Sequence, residues 1–335
     1  MILRLGTLGV ALTICSSAAA GPSIWRRAAA PEKHAAAQAR AAGDHYLDEH
    51  YRLLQGRSPL RQAAALSKAE RVLEDAGAPK SDDPITRYQM GRVHHYLYEL
   101  ERDARQLEAA ADHLLYVARH PRTPITLRAQ ALQTLAISYA RLGRHEDEVE
   151  AYDGAIANEA DPDSHAVLLA NQAEGHMALG RILQAVRGYR AALRATSSTL
   201  MLESGVTTLW GLAVALDRSG DLEGALSTIA TARTYDPLDQ RINGSGWFYV
   251  PAYDEAYYNA LGMWQRARAE DEPVEREENY RDAVAAWRSY LDRAPLTDPW
   301  VRLAERRLAE CEAERQAKLE SGAARARRTS PSTSP

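Results

Sequence analysis

The side chains best suited to metal chemistry in this chain are its 10 histidines, and their spacing decides whether they can act together. In the segment HYLDEHY, His45, Glu49 and His50 could ligate a metal ion, but the two histidines are five residues apart. Histidines that share a metal from one helix face need a spacing of three or four residues. His94 and His95 are adjacent, so on a helix they point in different directions. The sequence therefore predicts no metal site and no cofactor.

Motifs for nucleophilic catalysis or phosphate binding are equally weak. No segment matches a P-loop, a nucleophile elbow or a zinc site of paired cysteines, and Gly244-Ser245-Gly246 alone is too short to indicate a function. With 41 basic and 45 acidic side chains, the formal charge of -4 gives no positive field that would attract nucleic acid. We therefore predict no catalytic residues, a protein that is not an enzyme, and no nucleic-acid partner.

The N-terminus has the pattern of an export signal. Arg4 precedes an apolar segment over residues 5–14, and the alanines at 18–20 provide the small residues of a cleavage site. Cys15 leaves an alternative open, because LTIC approaches the lipobox of bacterial lipoproteins, although the residue before the cysteine is not small. We predict a signal peptide over 1–20 and an exported protein, periplasmic or extracellular, that reaches a membrane only if Cys15 is lipidated.

The elements that would position any site are predicted to be helices. Ala, Leu, Arg and Glu dominate, β-branched residues are sparse, and no segment has the alternating pattern of a strand. Residues 21–34 are predicted to be a linker, and 35–315 a helical domain. Residues 316–335 contain Arg325, Arg327 and Arg328 and end in small polar residues and prolines, which is typical of a disordered, weakly basic tail.

One apolar pattern recurs three times between residues 128 and 237. A small residue of the first helix lies twelve positions before the start of the second helix pattern in every copy, at 136 and 148, 173 and 185, and 213 and 225. Seven residues after each small residue stands a glycine, at Gly143, Gly180 and Gly220. We predict two short amphipathic helices that turn at the glycine, with the small residues letting their backbones come close. One such hairpin cannot bury its apolar faces alone, so the hairpins must stack.

This pattern resembles the tetratricopeptide repeat family, whose first helix has a large residue, Leu-Gly and Tyr, and whose second has Ala, a bulky residue and a closing Pro. Glu148 departs from the family's alanine, and the glycine spacings of 37 (143 to 180) and 40 (180 to 220) exceed the family's period of about 34 residues. The resemblance implies an all-α fold, a right-handed solenoid of stacked helical hairpins.

Weaker copies of the same unit extend this interpretation along the chain. Residues 87–121 form one, and a hairpin around Gly56 would precede it. In the copy over 255–295, nine extra residues fall between Gly262 and Ala283, which predicts a longer loop between its helices around Pro273. A capping helix is predicted to begin near Pro299.

The resemblance also implies where a partner would bind. In the family, first helices line a concave groove that receives an extended or helical segment of another protein. The groove positions predicted here are Ile137, Glu174, Met177, Trp210, Val214, Asp217, Asn259 and Met263. Trp210 is the preferred anchor, because a rigid aromatic side chain among smaller residues is typical of a hot spot. Packing of Trp210 against a neighbouring helix is the alternative.

An aromatic cluster at 242–264 allows two interpretations. Trp247, Phe248 and Tyr249 either fill a gap between two repeats or form a recognition patch, while Tyr258 and Trp264 fit the core of a repeat helix. The predicted function is that of an exported scaffold that binds a partner peptide or helix. The alternatives are a lipid-anchored subunit of a cell-envelope assembly or secretion complex, and a repeat-built enzyme acting on envelope polymers.

Overall fold

The computed structural model describes residues 31–55, 58–197, 200–243, 249 and 251–329. All regular structure in these residues is helical, with thirteen α-helices, one 3-10 helix, one π-helical turn and no strand. The predicted all-α class is therefore confirmed. The predicted signal peptide, Cys15, Gly56, Trp247 and Phe248 lie outside the described residues.

The chain divides into two compact units, one ending at Ser164 and one beginning at His165, which we call the N-unit and the C-unit. The N-unit contains α1 (Pro31–Gln55), α2 (Pro59–Asp75), α3 (Pro84–Glu101), α4 (Ala104–Arg119), α5 (Ile125–Arg141) and α6 (His145–Asn158). The division falls within α7 (Pro162–Ala178). The C-unit continues with α8 (Ile182–Ala195), α9 (Val206–Arg218), α10 (Leu222–Tyr235), α11 (Asp254–Ala269), α12 (Pro273–Arg293) and α13 (Val301–Thr329).

In the N-unit, consecutive helices pack as pairs. Helix α1 packs on α2, α3 on α4, and α5 on α6, and the first helices α1, α3 and α5 also contact one another in that order. One core cluster joins Leu47, Leu66, Leu73 and Met90 from the first three helices. Gly91 lets α3 approach α4, because a Cβ at this position would lie 2.7 Å from Leu114. This arrangement is that of a stack of helical hairpins.

The C-unit repeats the pairing and adds a covering helix. Helix α9 packs on α10 and α11 on α12, α9 also contacts α8 and α11, and α13 lies on α12. Helices α7 and α8 come close where a Cβ on Gly188 would meet Ala173 at 2.9 Å, which fits the role predicted for the small residues.

Three helices are preceded by an aspartate that caps the N-terminus of the helix. Asp83, Asp103 and Asp221 precede α3, α4 and α10, and each carboxylate accepts a backbone N–H of the first turn, from Thr86, Arg105 and Gly224 respectively. A side chain of this kind satisfies one of the donors that a helix start leaves unpaired. These caps fix where the helices of the hairpins begin.

The three predicted turn glycines lie between the paired helices. Gly143, Gly180 and Gly220 have φ values of 72°, 70° and 97°. Apart from the adjacent backbone, no heavy atom of the described residues lies within 4 Å of a Cβ built at any of them, so glycine is required there by the backbone conformation and not by lack of space. At Gly180 the following amide, of Arg181, donates to the carbonyl of His176 at 2.8 Å, which closes the end of α7.

The longer loop predicted around Pro273 is wrong. Helix α11 ends at Ala269 and α12 begins at Pro273, so the extra residues lengthen α12 to 21 residues against 14 in α10. Proline suits the first turn of a helix, where its missing N–H is not needed and its φ is already helical. The acidic and basic residues that follow are good helix formers.

The chain ends also differ from the prediction of a linker to residue 34 and a disordered tail from 316. Helix α1 begins at Pro31, and α13 runs to Thr329. The segment 316–328 consists mostly of Ala, Lys, Arg and Glu, which have a high helix propensity.

His113 on α4 makes the stability of the protein depend on pH. Burial, with the charges of Arg87 and His94 nearby, lowers the pKa of His113 from 6.5 to about 4. Below pH 6.5 the unfolded chain therefore binds this proton while the folded chain does not, so the free energy of unfolding should fall as pH drops from 6.5 towards 4. Urea unfolding across this range measures the slope.

The His113→Leu variant should flatten that pH dependence, because leucine keeps the volume and removes the titrating group. His45→Leu is the matched control, since His45 is exposed on α1. An unchanged slope in His113→Leu would show that another group carries the pH dependence.

Candidate functional site

A cleft of about 400 Å³ opens in the C-unit among α9, α10, α11 and α12. Its apolar lining is formed by Trp210, Ile242, Met263, Ala285 and Ala286. Its polar lining is formed by Arg233, Asp239, Asn243, Asn259 and Asp282. The volume lies within the usual range of about 300–1,000 Å³ for ligand pockets, and the mixed lining suits a segment with both apolar and polar groups.

Trp210 forms the floor of the cleft. Its side chain is 1% exposed, and a Cβ on Gly262 would lie 2.9 Å from its Cη2 atom, so α11 can approach the indole only because residue 262 is glycine. The Arg233 guanidinium carbon lies 5.4 Å from the centre of a Trp210 ring, within cation–π range. Trp210 therefore packs between helices, which was the alternative to an exposed anchor.

An ion cluster holds one wall of the cleft. Asp239 accepts from Arg233 Nη2 and Arg266 Nη2, both at 2.8 Å, and Arg233 also donates to the carbonyl of Gly262 at 2.9 Å. The cluster thereby ties the segment after α10 to both α10 and α11. Asp239 has φ 54°, in the left-handed region that aspartate tolerates, and its carbonyl accepts from the Asn243 amide at 3.0 Å.

Two of the predicted partner-binding residues are accessible in this cleft. Asn259 and Met263 are half-buried on α11 and line it together with Trp210. The Asn259 side chain makes no hydrogen bond to another described residue, so its amide can donate to and accept from a peptide group. Met263 offers an adaptable apolar surface beside it.

Asp217 and Val214 do not line an open groove, contrary to the prediction. Asp217 is 0% exposed, and its carboxylate accepts from Tyr257 Oη at 2.6 Å and Arg307 Nε at 2.7 Å. These bonds join α9 to α11 and α13. Val214 is buried on the same helix. The repeat pattern gave no sign that α13 would supply a partner for this face of α9.

Glu174 and Met177 on α7 are also buried in the C-unit, so their prediction as open groove residues is wrong. The Glu174 carboxylate accepts a short hydrogen bond from the Tyr189 hydroxyl on α8. A buried carboxylate needs such a partner, and this one explains the acid at an interior position. Ile137 is half-buried on α5 of the N-unit.

The charged residues of the cleft, Arg233, Asp239 and Asp282, were not predicted from the sequence. Asp239 lies in the connection after α10, and its pairing with Arg233 depends on the left-handed turn at Asp239 itself. Asp282 is exposed on α12, in the segment for which a loop was predicted. The heptad-like spacing of Asp282, Ala285 and Ala286 is the signal that could have placed them on one helix face.

Comparison with known proteins gives no assignment, because no protein-family model matches the chain and no curated protein matches it significantly. None of the helices in the described part of the chain has both the length and the apolar character needed to span a membrane. Within the same residues, no three His, Cys, Asp or Glu side chains are grouped so as to hold a metal ion. The function must therefore be argued from the geometry of the cleft.

Proposed function

We propose that this protein is an exported, non-catalytic interaction scaffold that binds a peptide segment or helix of a partner protein in the C-unit cleft. The observation that carries the proposal is the juxtaposition of an uncommitted Asn259 amide with the apolar surface of Met263 over a closed floor. In this proposal the hairpins form a right-handed solenoid similar to tetratricopeptide repeats, and the cleft lies on its groove.

The charges in the cleft indicate which side chains a bound peptide segment would carry. Arg233 and Arg266 are both paired with the single carboxylate of Asp239, so this cluster keeps one net positive charge. Asp282 is exposed at the rim and has no ion-pair partner among the described residues. We therefore expect an apolar side chain over Met263, a peptide group bonded to Asn259, and a basic residue next to Asp282.

Site-specific crosslinking tests this proposal. A photoreactive amino acid at Met263 should give one reproducible protein adduct in the native extracytoplasmic fraction, and the crosslinked segment can then be synthesised. Its affinity, measured by fluorescence anisotropy, should fall at least about tenfold with Met263→Asp, a loss of about 1.4 kcal/mol. Val274→Asp is the matched control, because Val274 is an exposed apolar residue of α12 outside the cleft.

Equal crosslinking from positions 263 and 274 would contradict the proposal, as would a peptide affinity that Met263→Asp leaves unchanged.

The second candidate function is that of a lipid-anchored subunit of a cell-envelope assembly, and it rests on Cys15. The intact mass from the native host separates the two, since the soluble form would begin near Gly21 and the anchored form would carry acyl groups on Cys15.

A further inference from the structure

Arg92 on α3 of the N-unit is a half-buried cation without an anionic partner. No carboxylate of the described residues lies within ion-pair distance of its guanidinium, whereas Arg141 in the same unit pairs with Glu99 at 2.5 Å. Partly burying an unpaired charge costs free energy. A cation in this state can bind an anionic group from outside the chain.

Aromatic rings from two helices hold the Arg92 guanidinium in place. Its Cζ atom lies 5.3 Å from the ring centre of Tyr51 on α1 and 5.5 Å from that of Tyr88 on α3. Nη2 donates to the Tyr51 hydroxyl at 2.6 Å. None of the nitrogens of Arg92 is among the buried atoms left without a hydrogen-bond partner, so the donors that Tyr51 does not use reach solvent.

The tyrosine hydroxyls add a further donor to this recess. Tyr51 and Tyr96 share a short hydrogen bond. Burial, followed by the proximity of Tyr51, raises the pKa of Tyr96, and burial raises the pKa of Tyr88, so these phenols stay protonated at neutral pH. Each of the two hydroxyls carries one proton. One proton forms the hydrogen bond between Tyr51 and Tyr96, and the other can be donated to an acceptor outside the pair.

We propose that the recess formed by Arg92, Tyr51, Tyr88 and Tyr96 is a binding site for a carboxylate. The recess combines one positive charge with hydrogen-bond donors from Arg92 and the tyrosine hydroxyls, which suits one negative charge with acceptor oxygens. The planar fork of arginine fits a planar carboxylate in a bidentate pair. A phosphate group, with nearly two negative charges, would remain half uncompensated in a partly desolvated recess.

This site is independent of the proposed function, because the cleft lies in the C-unit and Arg92 lies in the N-unit. The carboxylate could come from a free small acid or from a peptide. Acetate, an acetylated dipeptide with a free C-terminus, and its C-terminal amide are therefore the probes. Inorganic phosphate at equal ionic strength tests the preference for one charge.

The experiment follows the side-chain Nε–Hε resonance of Arg92 in nitrogen-15 NMR spectra of the full chain. Acetate should shift this resonance saturably and raise the melting temperature, since a ligand that binds only the folded state stabilises it. Arg92→Met should weaken acetate binding at least tenfold, and Tyr51→Phe several-fold. Arg71→Met is the matched control, because Arg71 is an exposed arginine on α2 of the same unit.

Without ligand, the Arg92→Met variant should fold at least as stably as the parent protein, because it removes an unpaired charge. If Arg92→Met does not fold, Tyr51→Phe and Arg92→Lys still test the site. A free-acid dipeptide that binds much more tightly than acetate assigns the site to a peptide, and equal affinities assign it to a small acid. The proposal is overturned by no saturable shift up to about 100 mM acetate, by equal binding of the amide, by tighter binding of phosphate, or by unchanged affinity in Arg92→Lys and Tyr51→Phe.

Discussion

Replacing Asp254 with alanine should lower the free energy of unfolding by about 3–5 kcal/mol, because it would leave the Arg218 guanidinium charged and unpaired in the interior. The side chain of Arg218 is 2% exposed, and its Nη2 atom donates to Asp254 Oδ1 at 2.9 Å. The rings of Tyr257 and Trp300, centred 4.7 and 5.1 Å from its Cζ atom, surround the same guanidinium. Urea unfolding followed by tryptophan fluorescence measures the loss.

Two controls separate the unpaired charge from the loss of a carboxylate in general. Glu223→Ala removes an acid that pairs with Arg268 but is 79% exposed, so it should cost less than about 1 kcal/mol. The double variant Arg218→Met/Asp254→Ala removes both charges and should recover most of the loss, because an apolar side chain replaces the orphaned cation. A double variant as unstable as the single one would contradict this account.

The buried polar bonds around α9 explain why this helix carries charges in its interior. Asp217 and Arg218 are neighbours at the end of α9, and they bond to Arg307 on α13 and Asp254 on α11 respectively. Tyr257 on α11 donates to Asp217 as well. One helix end thus fixes the positions of two later helices, 36 and 90 residues along the chain.

The hairpins could be predicted from sequence because their signals are local. Helical periodicity gives each apolar face, and a glycine such as Gly180 marks a backbone conformation that other residues adopt at a cost. The small residue Ala173 predicted a close helix approach, and Gly188 of α8 lies at that approach. Signals of this kind depend on a few neighbouring residues and do not require the tertiary arrangement.

The sequence of α9 also indicates that this helix is buried, although the repeat pattern predicted that it lines an open groove. From Val206 to Leu216 there is no charged residue, and all of α9 from Val206 to Arg218 is buried. A helix that is apolar on every side is enclosed on every side. That criterion would have argued against Trp210 and Val214 as residues of an open groove.

The two proposed binding sites could be predicted only in part from the sequence. Tyr88, Arg92 and Tyr96 are spaced by four residues, so the sequence places them on one helix face. The hydrogen bond from Arg92 to Tyr51 joins residues 41 positions apart, and no local pattern specifies it. Likewise Asn259 and Met263 followed from the repeat, while Asp239 and Asp282 depend on how the connection and α12 fold.

Trp210→Ala should also lower the free energy of unfolding by about 3–5 kcal/mol, because it removes a fully buried indole and leaves a cavity. The neighbours of the indole are fixed: Gly262 lies against its benzene edge, and Arg233 is held by Asp239. They cannot collapse into the space, so little of the loss is recovered. Urea unfolding of the variant, with peptide affinity measured on the folded fraction, gives both quantities.

Met263→Ala is the matched variant for Trp210→Ala, since Met263 lines the same cleft but is only half-buried. It should cost about 1 kcal/mol of stability or less, because a partly exposed side chain loses less buried apolar area, and yet it should weaken peptide binding. If Trp210 were instead an exposed anchor, its removal would weaken binding and leave the free energy of unfolding almost unchanged. The two variants therefore distinguish the floor of the cleft, which supports its shape, from the wall that is proposed to contact the peptide.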